Sequence, residues 1–192
     1  MSWLYAFKPF KDQALRSISH TLFAMRVTPN MVTICGLFMS LIAGVLAASG
    51  HLYAGIFFFM IGACLDAIDG SLARACGLCS EFGRYFDSAC DRISELAFIA
   101  GAVIGGAPVL AFAVIAGSVL LMASRINNHI KGLNSNAATF GRPERIALLV
   151  AGLLSPAPYN IAIFLVAGLL CVVSSAQVLA SGMRIRAVIR PQ

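Results

Sequence analysis

Long apolar runs separated by brief polar, glycine or proline breaks set the pattern of this chain. Residues 30–49 carry no charge, Gly50 and His51 interrupt, and a second run over about residues 52–73 stays apolar until Asp66. A third covers about residues 83–106, Pro108 marks a return, and a fourth continues to about residue 129. After the polar stretch KGLNSNAATFGRPE comes a short fifth run, about residues 146–154, which lengthens if its helix starts at Pro143. Pro156 and Pro158 end it, and the sixth run covers about residues 159–183. A helix needs about 20 apolar residues to cross a hydrocarbon core, and inside lipid it satisfies its own backbone polar groups. The pattern therefore predicts an all-α integral membrane protein with six transmembrane helices.

Composition agrees, since 59% of the residues are hydrophobic and 11% charged, too few charges for the surface of a soluble domain. The net charge of +6 comes from bases gathered in four places. Lys8, Lys11, Arg16 and Arg26 precede the first run, and Arg74, Arg84 and Arg92 surround the break between the second and third. Arg125, Lys131, Arg142 and Arg145 flank the break between the fourth and fifth, and Arg184, Arg186 and Arg190 follow the sixth. Bases concentrate on the cytoplasmic side of membrane proteins, and the opposite turns contain none, so both termini are expected in the cytoplasm. Bases placed this way, with no basic helix in a soluble domain, argue against nucleic acid as a partner.

Ahead of the first run, WLYAFKPFKDQALRSISHTLFAMR mixes aromatics and leucines with bases. It predicts an interfacial helix beginning after Pro9. Residues 1–27 then form a leader, 28–183 a six-span domain and 184–192 a basic tail. Gly36, Ser40 and Gly44 share one face of the first helix, and Gly101 and Gly105 one face of the third, spacings that permit close helix packing within one subunit or between two. Six cysteines are scattered mainly through the runs rather than spaced as a disulfide framework. Cys76 and Cys79 form a CxxC without the second ligand pair that zinc requires.

Polar chemistry collects in DAIDGSLARACGLCSEFGRYFDSACD, residues 66–91. Asp66 and Asp69 are three apart and Asp87 and Asp91 four apart, so each pair can share a helix face near a helix end. Carboxylates in lipid need a wet cavity, a cation or protons. Oxygen ligands suit hard Mg²⁺ or Mn²⁺, and the lack of a convergent His/Cys set argues against zinc or iron. With Arg74, and with Gly70 and Gly83 giving room, the constellation can bind a phosphoanhydride through metal ions and orient a nucleophile. Ser71, Ser80 and Ser88 have no histidine near them in the motif, which favours direct displacement over a serine intermediate. A transporter would instead distribute its acids along a pathway or show repeated, broken helices.

The spacing D, two residues, DG, two residues, AR, eight residues, G, three residues, D, three residues, D resembles the signature of the CDP-alcohol phosphatidyltransferase family. It is matched by Asp66, Asp69, Gly70, Ala73, Arg74, Gly83, Asp87 and Asp91. The resemblance implies that family's six-helix bundle in a bacterial or archaeal cell membrane, with a cytoplasmic active site. It implies transfer of a phosphatidyl or related lipid-phosphate group from a CDP-linked lipid to an alcohol, with release of CMP. Asp66, Asp69 and Asp87 would hold two divalent ions, Mg²⁺ or Mn²⁺, and Asp91 would be the general base and a contributor to the metal site. Gly70, Ala73, Arg74 and Gly83 would surround the nucleotide part of the donor, and the active protein would be a homodimer.

Arg125, Lys131, Arg142 and Arg145 are candidates for binding an anionic acceptor, although inner loops are basic in any case and Glu144 can pair with its arginine neighbours. RPER within GRPERIALL resembles the matching segment of phosphatidylinositol-phosphate synthases, which favours inositol phosphate as acceptor. SRINNHIKG departs from the basic-and-acidic pattern of those synthases, so glycerol phosphate, inositol and other alcohols stay open.

Overall fold

The computed structural model describes residues 19, 21–131 and 140–189, and the side chains only as far as residue 181. The expected interfacial helix therefore lies largely outside the described residues; those at 21–24 form a short helical stretch. Beyond it come α1 (Pro29–Ala48), α2 (Leu52–Ala75), α3 (Glu81–Ile104), a 3₁₀ turn (Val109–Ala111), α4 (Phe112–Ile130), α5 (Arg142–Leu154) and α6 (Tyr159–Ile189). The breaks fall where the apolar pattern put them. Thr28 caps α1 by accepting from the Met31 N–H at 3.4 Å, with Pro29 in the first helical position where no N–H is needed. Helix α2 stops at Gly77, whose φ of +67° suits a residue without a side chain, and the Leu78 N–H closes the turn on the Ala73 carbonyl at 2.9 Å. Ser80 then caps α3 by accepting from the Gly83 N–H at 2.9 Å.

Among the described residues, four helical stretches are long and apolar enough to cross a bilayer: α1, α2, Val109–Ile130 and Tyr159–Ser181. Two of the six expected spans are not among them, for different reasons. Helix α3 has the length, at 24 residues, but its first half carries Glu81, Arg84, Asp87, Asp91 and Arg92, with Glu95 just beyond. Helix α5 starts at Arg142, one residue before the expected proline, and its 13 residues rise only about 20 Å. Helix α6 continues past Met183 to Ile189, so the basic tail begins inside a helix.

The chain forms two compact units divided between Ala107 and Pro108. In the first, α1 packs on both α2 and α3, which touch each other little. Glycines set the closeness. A side chain at Gly101 or Gly105 would overlap the carbonyl oxygens of Gly44 and Ala47 respectively, and one at Gly55 would meet the Ala43 carbonyl oxygen at 2.8 Å. The small-residue faces seen in the sequence thus serve packing inside one subunit, where dispersion between close backbones replaces the hydrophobic drive absent from lipid. Farther along, the rings of Phe59 and Phe98 stack with centroids 4.4 Å apart, both almost wholly buried.

In the second unit, α6 packs against both α4 and α5. Gly117 of α4 faces Cys171 of α6, and Gly152 of α5 faces the Phe164 ring. Polar groups tie α4 to α6 as well, with the Ser124 and Ser175 hydroxyl oxygens 2.5 Å apart and Asn128 Nδ2 donating to the Val178 carbonyl at 2.6 Å. All six cysteines are free thiols, with Cys90 and Cys171 buried.

Candidate active site

Two helix ends in the first unit bring the aspartates together. Asp66 and Asp69 sit one turn apart toward the C-terminal end of α2, and Asp87 lies about two turns into α3. Each of these three offers a carboxylate oxygen, and the three oxygens lie within 4.8 Å of one another. Ionised carboxylates so close repel unless a cation or protons intervene. A donor set made only of oxygens fits a hard divalent cation. Asp69 is 3% exposed, and the Thr33 hydroxyl of α1 donates to its Oδ2 at 2.6 Å. That bond fixes the carboxylate's orientation from outside the ligand set. Asp91 stands one turn beyond Asp87 on α3, half-buried, and is not one of the three converging residues.

Beside the carboxylates opens a cavity of about 670 Å³. Its walls come from the start of α1, the last turns of α2, the connection after Leu78 and the start of α3. Asp69, Gly70, Ala73, Arg74, Gly83 and Asp87 all line it, so six of the eight signature residues share one wall system. A side chain added at Gly70 would approach Arg74 Nη1 to 3.3 Å, and one at Gly83 would meet the Ser80 hydroxyl at 2.9 Å. Arg74 lies over Gly70 with Nη2 3.4 Å from Ser71 Oγ. Gly70 therefore leaves the guanidinium room beside the cavity, and Gly83 leaves room for the Ser80 hydroxyl that caps α3.

Thr28, Asn30 and Thr33 also line the cavity, from a helix that the signature does not include. The helix starts at Thr28 and Ser80 both reach it, and N–H groups exposed at such starts favour phosphate oxygens. The TPN sequence signals a helix start, but nothing local pairs residue 33 with residue 69, so the sequence did not identify Thr33. Glu81 and Arg84 pair at 3.5 Å on the exposed rim, an interaction that adds little.

The four bases considered for the acceptor all belong to the second unit. Arg125 and Lys131 are exposed on the last turns of α4 and at its end, Arg142 opens α5 half-buried, and Arg145 is 2% exposed. Glu144 accepts from the Gly141 N–H at 3.0 Å, closing the start of α5.

A helical membrane protein with converging carboxylates beside a nucleotide-sized cavity defines a class of membrane enzyme acting on phosphorylated substrates. The sequence model of the CDP-alcohol phosphatidyltransferases matches residues 26–185, and the chain belongs to that family. Among similar proteins, archaetidylinositol phosphate synthase of Pyrococcus horikoshii is 35% identical over 164 residues, 83% of this chain and 86% of that protein. Phosphatidylinositol phosphate synthase of Mycobacteroides abscessus is 34% identical over 137 residues, 65% of this chain and 61% of the relative. The fold is similar to phosphatidylinositol phosphate synthase of Mycobacterium tuberculosis with CDP-DAG bound, with a TM-score of 0.75 and 25% identity, covering 88% of this chain and 94% of that one. The structure of the same synthase with manganese and citrate gives a TM-score of 0.68 and 26% identity, covering 88% and 87%.

Proposed function

We propose that this transferase joins a CDP-linked lipid to inositol phosphate, releasing CMP and forming a phosphoinositol lipid phosphate. The convergence of Asp66, Asp69 and Asp87 beside the cavity that six of the eight signature residues line carries the donor half of this reading. The names of the similar synthases and the RPER segment support the acceptor half. Asp66, Asp69 and Asp87 hold divalent ions, two in number and Mg²⁺ or Mn²⁺ in kind, with Asp91 contributing. Bound there, the ions supply charge neutralisation for the donor's diphosphate. Gly70 and Gly83 leave space for the nucleotide, Ala73 completes that wall and Arg74 contacts a phosphate oxygen. Asp91 takes the proton from the attacking hydroxyl as the new oxygen–phosphorus bond forms and the bond to CMP breaks.

Arg125, Lys131, Arg142 and Arg145 recognise the acceptor's phosphate, the arginines by paired N–H donation. An assay with one CDP-linked lipid and equal concentrations of phosphorylated and free inositol and glycerol tests this. Inositol phosphate is expected to turn over fastest, with glycerol phosphate competing and the free alcohols poor. Preference for a free alcohol, with no competition by phosphate compounds, would overturn the acceptor assignment and leave the transfer reaction standing.

The arrangement in the membrane follows the basic segments: six crossings, both termini and the carboxylate site cytoplasmic, and the active form a homodimer. Helix α5 serves as the fifth crossing, and the apolar half of α3 completes the third. Single cysteines in a cysteine-free background, placed at Gly50, Gly106 and Ala157, should be labelled only from outside sealed cells. Labelling of those sites from the cytoplasmic side would reject the topology.

A further inference from the structure

Helix α6 supplies none of the four acceptor bases, yet buried polar groups fasten to it the segments that carry them. Ser174 and Ser175 are 1% and 2% exposed, midway along α6 and directly after the apolar run 161–173. Alanine would fill either place without burying a hydroxyl, so packing alone gives no reason for serine. The hydroxyls have specific partners. The Phe140 N–H, two residues before Arg142, donates to Ser174 Oγ at 3.1 Å. Ser175 meets Ser124, the residue immediately before Arg125, and the Val178 carbonyl accepts from Asn128, three residues before Lys131.

All of these contacts fall within residues 174–178, about one turn of α6. The tie at Ser174 matters most for α5. Its cap, Gly141, has no side chain, and Glu144 secures the Gly141 N–H within α5 itself. Phe140 bonds the entry to that first turn to α6, and both Phe140 and Gly141 are buried. Without the Ser174 hydroxyl, a buried N–H would seek another partner and turn the first residues of α5 with it.

We infer that Ser174 is a positioning residue for acceptor recognition, holding the Arg142–Arg145 turn in register for a phosphate, while Ser175 and Asn128 hold the end of α4. The inference rests on the assignment of Arg142 and Arg145 to the acceptor. Initial rates should be measured for Ser174→Ala, Ser174→Thr and Arg142→Ala, varying inositol phosphate and the CDP-linked lipid separately, with thermal stability in detergent alongside. Ser174→Ala is expected to raise the inositol phosphate KM about tenfold and to narrow the preference for inositol phosphate over free inositol. The donor KM should stay unchanged, and Ser174→Thr, which keeps the hydroxyl, should restore most of the loss. An unchanged acceptor KM in Ser174→Ala, or an equal fall for both acceptors accompanied by lost stability, would overturn the positioning role while Arg142→Ala still raised that KM. An Arg142→Ala enzyme with unaltered acceptor kinetics would remove the acceptor assignment, and this inference with it.

Discussion

Asp69→Ala is expected to lose divalent-ion binding and turnover together, each by more than about a hundredfold. The magnitude follows from the site's construction. Asp69 is the most buried of the three converging carboxylates and the one held from α1 by Thr33. Removing a group that merely orients a metal ligand costs about 10- to 100-fold in affinity or activity, and removing the ligand should cost more. A graded pair follows, with Thr33→Val falling in that lower range because it deletes the hydroxyl and keeps the carboxylate. Titration with Mn²⁺ by paramagnetic resonance, beside CMP release, checks both variants. Mn²⁺ affinity equal to wild type in a folded Asp69→Ala protein would remove Asp69 from the metal site.

The carboxylate site was readable in the sequence because its spacing is local. Asp66 with Asp69, and Asp87 with Asp91, obey helical periodicity, and the glycines stand in the same short segment. Thr33 was not readable, because its bond to Asp69 depends on how α1 packs against α2, which the glycines permit without specifying. Helix starts were legible to within about two residues, expected near residues 30 and 83 and found at Pro29 and Glu81. The span count was harder. Charge in the first half of α3 is needed for chemistry, and it conflicts with the apolar content that marks a crossing. Helix α5 is shortened by proline on one side and by its arginine-bearing start on the other. Ser174 and Ser175 read as neutral positions in an apolar run, since their value lies in partners 34 and 51 residues away.

Asp91→Asn is expected to separate binding from chemistry. The carboxylate stands one turn from Asp87 but outside the set of three, and asparagine keeps a carbonyl oxygen for its minor share in the ion site, so Mn²⁺ and CDP-lipid binding should stay nearly intact. It cannot accept the hydroxyl proton, and turnover should fall about 10²- to 10⁴-fold. Asparagine keeps the shape of aspartate, and retained donor binding checks that the variant is folded. The measurement closest to the central claim follows CMP and lipid product in the same reaction, with purified protein, a CDP-linked lipid and inositol phosphate. Wild type should form the two in equal amounts and only when a divalent cation is present, while Asp91→Asn binds the donor and forms neither at a comparable rate. CMP release without matching lipid product, or full transfer by a folded Asp91→Asn enzyme, would contradict the account.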